Sequence, residues 1–299
     1  GGPPNSDQKI SSTKKAAATG GAVLLEMVSG GLAMENIKME KQRTNLPYAT
    51  LIGRVGRQGL AGFEAGLWPW GVVLGLTKGT VLGGALGMSQ NVLHSAGFSD
   101  RTTKVASGFM AGAVQGVFMS PILLARTRVN QSLTERAASS EFRASFMDEM
   151  RHSSRILTNA VRAEGPRVLT TGMGMMAVKR SMDWGARFVL VGAVQEKAKE
   201  AKGGKPLSEL ERLVTAYLGG VGSVIVTMPA DRLMPIIQAA KSSTAAGGSG
   251  GIMSIMRERL REEGFTTMFR GGLMRAMHTG WHTSFALVVS ERLMGMMGK

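Results

Sequence analysis

The sequence predicts an all-α membrane protein whose six transmembrane helices form three tandem repeats. Four stretches carry at most one charge each, over 16–34, 66–88, 105–125 and 213–230. An α-helix rises about 1.5 Å per residue, so about 20 apolar residues cross a hydrocarbon core about 30 Å thick. Two shorter apolar stretches, 168–178 and 276–290, need their flanks to span and bring the expected number of helices to six. A soluble protein with buried helices is the alternative, because polar residues interrupt these stretches.

Charge balance and residue types narrow the classes of function. The chain has 36 Lys and Arg against 21 Asp and Glu, a formal net charge of +15, and no cysteine. The missing cysteine excludes a disulfide scaffold, a thiolate zinc site and a cysteine nucleophile. The net charge predicts an anionic partner, which is nucleic acid, anionic lipid or an anionic solute. Aromatic residues make up only 5% of the chain, which argues against nucleic acid. No acid/base dyad, nucleophile elbow or phosphate loop is visible, so we do not expect an enzyme.

Pairs of glycines seven residues apart recur along the chain. They are Gly59 and Gly66, Gly165 and Gly172, and Gly264 and Gly271. Each pair precedes an apolar stretch, and successive pairs lie roughly 100 residues apart, which indicates a tandem repeat. We therefore predict a disordered polar tail over 1–15 and a single domain over 16–299. Its repeats run over 16–100, 101–205 and 206–299, each with two long helices and a short one between them.

A second motif recurs at the end of the first long helix of each repeat. It consists of Ala33, Glu35 and Lys38, then Pro121, Leu123 and Arg126, then Pro229, Asp231 and Met234. Proline removes a backbone hydrogen bond and kinks a helix. Together with the paired glycines, this pattern resembles the mitochondrial carrier family, in which proline, an acid and a base end each odd-numbered helix. Phe269, Arg270 and Gly271 match the family's later aromatic-base-glycine element in full.

The resemblance implies six tilted transmembrane helices around a central cavity, with three short helices on the matrix side. It also implies a matrix gate in which the acid of one repeat pairs with the base of the next. Here the gate would consist of Glu35 with Arg126, Lys38 with Asp231, and the apolar contact of Leu123 with Met234. Replacing both partners of a buried pair by apolar side chains is often neutral, whereas removing one costs about 3–5 kcal/mol.

The cytosolic gate that the family forms at the other end of the cavity is sparser here. The resemblance implies an acid and a base near the end of each even-numbered helix. At these positions the sequence has Glu196 and Lys199 in the second repeat and Glu291 in the third. One complementary pair, Glu291 with Lys199, would remain. Either this gate closes by packing, or the protein no longer cycles. In the second case it would be a transport-inactive structural subunit of an inner-membrane respiratory or ATP synthase assembly.

Charged residues inside the even-numbered helices are the candidate substrate contacts, because a charge within the membrane is costly and usually functional. The predicted substrate-binding residues are Lys78, Lys179, Arg180, Arg187, Arg275 and His278. The set is positive, so we expect an anion with more than one carboxylate. Alternatively, Asp183 neutralises Lys179 or Arg187 structurally. His278 and His282 have the spacing of metal ligands on a helix, but no third ligand is apparent, and we expect no metal.

The sequence around Lys78 and Trp184 is similar to the branch of the family that exchanges citrate and 2-oxoglutarate. The residues that carry this likeness are Leu67, Pro69, Trp70, Thr77, Lys78, Gly79, Trp184, Gly185, Arg187 and Phe188. The likeness implies substrate contacts at Lys179 and Arg180, whereas an acidic contact of that branch falls on Leu74. It implies a multi-pass carrier of the mitochondrial inner membrane that exchanges di- and tricarboxylates by alternating access. The cations retained in the cavity favour transport over the structural subunit.

Two further expectations concern lipid and helix packing. The family binds cardiolipin at helix N-termini, where backbone N–H groups attract anions. Phe269, Arg270 and Gly271 form the best such site in this sequence, and we expect no other cofactor. Glycines four residues apart let helices approach closely in lipid. We expect this of Gly108, Gly112 and Gly116 in the third helix and of Gly219 and Gly220 in the fifth.

Overall fold

The described part of the chain is helical throughout. A computed structural model describes residues 11–44, 46–57, 71–137, 173–243 and 271–297, with a few positions between 151 and 170 and at 261, 264 and 269. Side chains at 39–40, 42–44, 54–55, 123–137 and 229–243 lie outside this description. The helices are α1 (Ser12–Glu26), α2 (Leu32–Thr44), α3 (Tyr48–Arg57), α4 (Val72–Ser95), α5 (Asp100–Ala137), α6 (Met173–Ala201), α7 (Glu209–Ser243), α8 (Gly272–Ser284) and α9 (Ser290–Met296).

These elements supply the predicted transmembrane helices. Helix 1 is α1 and α2 joined by the π-helical segment Met27–Gly31, and helix 6 is α8 and α9 joined by the π-helical segment Phe285–Val289. Helices 2 to 5 are α4, α5, α6 and α7. Each helix packs against the next along the chain, and helix 6 packs against helix 1. The bundle therefore closes into a ring, which confirms the all-α prediction.

Helices 4 and 6 are longer than their apolar stretches suggested. By length and composition, four described helices can cross a membrane, over Ser12–Lys38, Val72–Ser95, Asp100–Ile122 and Glu209–Met228. In helix 4, α6 extends to Ala201, far beyond the stretch 168–178 from which it was predicted. Its charged residues lower its hydropathy, although several of them face the interior of the ring and not the lipid. Hydropathy alone therefore misses helix 4, which contributes the most charged residues to the interior.

Helix 1 begins earlier than expected. The Ser11 side chain accepts a hydrogen bond from the backbone N–H of Lys14, at 3.3 Å, as an N-cap serine does. The helix starts at Ser12, so the prediction of a disordered tail is wrong for residues 12–15. Lys15 is held within the bundle, because its Nζ donates to Gln90 Oε1 of helix 2 at 2.5 Å.

A glycine replaces the missing proline as the break in helix 1. Gly30 has φ 124° and ψ −12°, outside the helical region, within the π-helical segment that separates α1 from α2. A side chain at this φ would be strained, so glycine suits the position. The break lies three residues before Ala33, which occupies the place of the signature proline. The first repeat thus interrupts its helix by a different device from the one expected.

Close approach of the helices follows the predicted glycines. A Cβ on Gly112 would collide with the backbone of Arg180 and Ser181, and one on Gly116 with the backbone of Met176 and Ala177. These contacts bring the backbones of α5 and α6 close together. Gly219 meets the backbone of Val191, and Gly220 meets Thr283 and Gly280. The expectation of small-residue packing in helices 3 and 5 is confirmed, and it fixes the positions of helices 4 and 6.

Candidate substrate cavity

One cavity inside the ring collects the charged side chains of helices 1, 2, 4 and 6. Its empty space is about 440 Å³, including its open mouth. The lining residues are Glu35, Lys38, Lys78, Lys179, Arg180, Asp183, Arg187, Arg275, His278, Thr279 and His282. All six predicted substrate-binding residues are in this set. The lining carries six Lys and Arg side chains against two carboxylates.

A buried ion pair joins helices 4 and 6 at the cavity wall. Arg275 Nη2 lies 3.3 Å from Asp183 Oδ1, and the two side chains are 6% and 5% exposed. The same Nη2 donates to Thr227 Oγ1 of helix 5 at 3.1 Å. Sequence reasoning considered only Lys179 and Arg187 as ionic partners of Asp183. It missed Arg275 because the partner lies in another repeat.

The guanidinium groups of helix 4 keep donors without protein partners. Arg187 lies over the ring of Trp184, with Cζ 4.6 Å from the ring centroid. Its Nε and Nη1, and Nε of Arg180, are buried and have no hydrogen-bond partner among the described residues. Buried donors are almost always satisfied in proteins, and a guanidinium matches the geometry of a carboxylate. These donors can therefore bind a carboxylate that enters the cavity.

A hydrogen-bonded glutamine holds two of the cavity helices in register. Gln115 of helix 3 is fully buried. Its Nε2 donates to the Lys78 carbonyl at 2.9 Å, and its Oε1 accepts from Trp184 Nε1 at 3.0 Å. Trp184 is fully buried in a cluster with Leu82, Leu86 and Ala286 among others. Gln115 thus links helices 2, 3 and 4 at Lys78 and Trp184. Sequence reasoning missed it, since a lone glutamine in an apolar stretch gives no pattern.

Glu26 is a second buried residue whose role the sequence did not reveal. It is fully buried in helix 1. Its Oε1 lies 3.3 Å from His278 Nε2, and its Oε2 lies 3.2 Å from His282 Nδ1. The only sequence signal was its position as the single charge in the first apolar stretch. No cluster of three or more His, Asp or Glu in the described residues is arranged to hold a metal ion.

The predicted matrix gate is described only on its helix 1 side. Glu35 and Lys38 line the cavity. The side chains of Arg126, Asp231, Leu123 and Met234 lie outside the described residues. The pairs proposed for Glu35, Lys38 and Leu123 therefore stay predictions.

At the cytosolic gate, Glu291 does not contact Lys199 in this structure, and their pairing in a closed gate stays a prediction. Glu291 is hydrogen-bonded to Arg212 instead. Glu196 lies 3.2 Å from Arg101, and Arg292 lies 2.9 Å from Glu209. Each contact joins the start of the odd-numbered helix to the end of the even-numbered helix of the same repeat. The sequence prediction considered the ends of even-numbered helices alone, whereas the nearest opposite charges in this structure lie at the starts of helices 3 and 5.

The predicted lipid site is partly described. Gly271 has a left-handed backbone, with φ 81°, and stands immediately before α8. Phe269 is exposed, and Arg270 lies outside the described residues.

Comparisons with known proteins agree with this architecture. The family model described as "Mitochondrial carrier protein" matches residues 100–202 and 205–299, which is more than half of the chain. The citrate/oxoglutarate carrier protein of Saccharomyces cerevisiae is 23% identical over 233 residues, 77% of this chain and 72% of the relative. The mitochondrial basic amino acids transporter of Bos taurus is 27% identical over 199 residues, 67% of this chain and 62% of the relative. The chain therefore belongs to the mitochondrial carrier family, whose members are small-molecule transporters and not enzymes.

Proposed function

We propose that this protein exchanges di- and tricarboxylates, such as citrate and 2-oxoglutarate, across the mitochondrial inner membrane by alternating access. The observation that carries the proposal is the charge of the cavity, with six Lys and Arg side chains against two carboxylates. An excess of cations within a membrane is costly. A solute with two or three carboxylates offsets that charge when it binds, and a neutral solute does not.

The unpartnered guanidinium donors support the same substrate class. Arg180 and Arg187 lie about two helical turns apart on one side of α6, so separate carboxylates of one substrate can reach them. Both have buried donors without partners in the described part of the chain. Carboxylates accept such hydrogen bonds in pairs. A solute with a single carboxylate would leave some of these donors without an acceptor.

The two relatives differ in the substrates that their names state, and the cavity favours one of them. A basic amino acid carries a cationic side chain, which would lie among Lys78, Lys179 and the arginines. Like charges brought together in a site of low dielectric repel strongly. A carboxylate substrate of the kind named for the yeast relative meets the opposite charge. The cavity therefore supports carboxylate exchange over transport of basic amino acids.

Counter-exchange in liposomes tests this function. We expect purified protein to take up labelled 2-oxoglutarate when citrate is inside and not when the liposomes are empty. Arg187→Gln removes a charged donor, whose hydrogen bonds contribute about 1.5–3 kcal/mol, so exchange should fall roughly 10- to 100-fold. Lys197→Gln is the matched control, because Lys197 is an exposed cation on the same helix. It should leave the rate unchanged.

Failure of exchange would support the other candidate. If folded, inserted protein takes up no carboxylate, the chain is better explained as a structural subunit of an inner-membrane assembly. The buried, apolar Leu74 favours that candidate, because it stands where the citrate-exchanging branch has an acid. Co-purification from native membranes would then be the next measurement.

Cardiolipin binding at Phe269, Arg270 and Gly271 is a separate proposal. The start of α8 next to Gly271 offers backbone N–H groups to a phosphate, and Arg270 supplies a cation. Arg270→Gln should reduce the cardiolipin retained after delipidation, measured by mass spectrometry. Lys205→Gln, at an exposed cation in the turn between α6 and α7, is the control. Equal retention by Arg270→Gln and this control would contradict the site.

A further inference from the structure

Glu26 and two histidines form a buried cluster between helices 1 and 6. The Glu26 side chain is fully buried, and those of His278 and His282 are 12% and 2% exposed. The two imidazole rings stack, with centroids 6.2 Å apart. His282 Nε2 is buried without a hydrogen-bond partner in the described residues. A carboxylate between two imidazoles can share a proton with either of them, and histidine is the side chain that ordinarily titrates near neutral pH.

The cluster opens to the cavity, and a separate contact between helices 1 and 6 lies beside it. One turn away, Trp281 Nε1 donates to Ser29 Oγ at 3.2 Å, which ties helix 6 to the π-helical segment of helix 1. The His282 ring packs against Trp184, with centroids 5.7 Å apart. Both histidines line the substrate cavity. A proton can therefore reach Glu26 from the solvent in the cavity through the imidazoles.

The charges that face the cluster come from every surrounding helix. Lys78 of helix 2 and Arg187 of helix 4 face His282, and Lys78 and Glu35 face His278. Asp183 and Arg275, paired with each other, line the same cavity. Lys78 and Arg187 line this cavity together with the two histidines, and their charge is opposite to that of the Glu26 carboxylate. When these cations bind a substrate anion, the Glu26 charge loses its compensation, and a buried uncompensated charge is strongly unfavourable.

We propose that Glu26, His278 and His282 form a proton-binding site that takes up a proton when a multivalent anion occupies the cavity, so that the protein moves proton and anion together. The inference rests on the proposed carboxylate exchange and adds the coupling ion. The proton comes from water on the loading side, resides on the Glu26–imidazole pair, and returns to water where the anion is released. No bond of the substrate changes. Since coupling between two ligands is reciprocal, lower pH should tighten anion binding.

Titration calorimetry with 2-oxoglutarate measures this coupling in the intact protein. Both carboxyl groups of this anion are ionised at neutral pH, so protons taken up on binding go to the protein. Heats measured in two buffers with different ionisation enthalpies give the number of protons bound per anion. We expect a net uptake of up to one proton near pH 7. The affinity should fall by up to tenfold for each unit that the pH rises, the limit for a single coupled proton.

Two variants locate the proton. Glu26→Gln should bind 2-oxoglutarate with little proton uptake and with an affinity that depends little on pH. Ser29→Ala, which removes the neighbouring contact with Trp281, is the control and should keep the uptake. If Glu26→Gln fails to fold, His282→Gln provides the same comparison, and the uptake by the unmodified protein is measured without any variant.

The outcomes separate the two proposals. Absence of binding overturns the proposed function and this inference together. Binding without proton uptake overturns only the inference. Uptake that persists unchanged in both Glu26→Gln and His282→Gln also overturns it, because Lys78 or Lys179 would then be the group that binds the proton.

Discussion

The central cavity and the helix ends at the cytosolic gate use the same residue types in opposite surroundings. In the cavity, Asp183 and Arg275 pair with side chains 5% and 6% exposed. At the helix ends, Arg212 and Glu291 pair with side chains 40% and 53% exposed. Removing one partner of a buried pair costs about 3–5 kcal/mol, whereas an exposed pair contributes about 0–1 kcal/mol. The cavity charges therefore constrain both stability and binding, and the exposed charges constrain neither strongly.

The topology of the two sets differs as well. The cavity pair joins helices of different repeats, and Glu26 does the same with His278 and His282. The exposed pairs join helices within one repeat, such as Arg101 with Glu196. Contacts within a repeat can survive a movement of the repeats against each other. We therefore expect the exposed pairs to stay formed while alternating access opens and closes the cavity.

The largest effect should follow from breaking the buried pair. Asp183→Asn leaves Arg275 without its carboxylate and should lower the free energy of unfolding by about 3–5 kcal/mol. Thermal unfolding of the detergent-solubilised protein measures this loss. The double variant Asp183→Asn, Arg275→Gln removes both charges and should recover part of it. A single variant as stable as the unmodified protein would contradict the contrast between the two regions.

An intermediate effect is expected at Gln115, the uncharged side chain that links helices 2, 3 and 4. Gln115→Leu leaves the Trp184 N–H and the Lys78 carbonyl without their partner, and an unsatisfied buried polar group costs about 1–3 kcal/mol. The free energy of unfolding and the exchange rate should both fall, because Lys78 and helix 4 lose the hydrogen bonds to Gln115 that connect them. Gln195→Leu, on the more exposed end of helix 4, provides the comparison. Equal behaviour of the two variants would show that Gln115 does not position the cavity.

The smallest effect is expected at the helix ends. Glu291→Gln should lower the free energy of unfolding by at most about 1 kcal/mol and leave the exchange rate nearly unchanged. Salt should weaken the pair further, since exposed charges are screened. A loss of stability similar to that of Asp183→Asn would erase the distinction between the two regions.

Much of the fold is readable from the sequence, because apolar length, paired glycines and small-residue spacing each have a direct physical meaning. Gly112 and Gly116 were expected to bring helix 3 close to a neighbour, and they do so against helix 4. Hydropathy predicts the ends of helix 4 poorly because its lysines and arginines face a cavity. A hydropathy value cannot distinguish a residue that faces a cavity from one that faces solvent. The break at Gly30 was missed because only proline was expected to interrupt helix 1.

The site was predictable where one helix supplies the pattern and not where the ring brings helices together. The sequence alone identifies Lys179, Arg180 and Arg187 as charges inside a membrane helix. All three line the cavity. The contact of Glu26 with His278 joins residues 252 positions apart in the chain, counted from their numbers. The partner of Glu291 likewise depends on how helices 5 and 6 pack. No periodicity within a helix contains that information.

We propose that the charge of the cavity selects anions with several carboxylates. The most direct test is the unfolding temperature of the purified protein with citrate, 2-oxoglutarate, acetate or arginine at equal concentration and ionic strength. A ligand that binds only the native state raises this temperature, and at equal concentration a tighter ligand raises it more. We expect citrate and 2-oxoglutarate to raise it, and acetate and arginine to leave it unchanged. Stabilisation by arginine alone, or by none of the four, would contradict the claim.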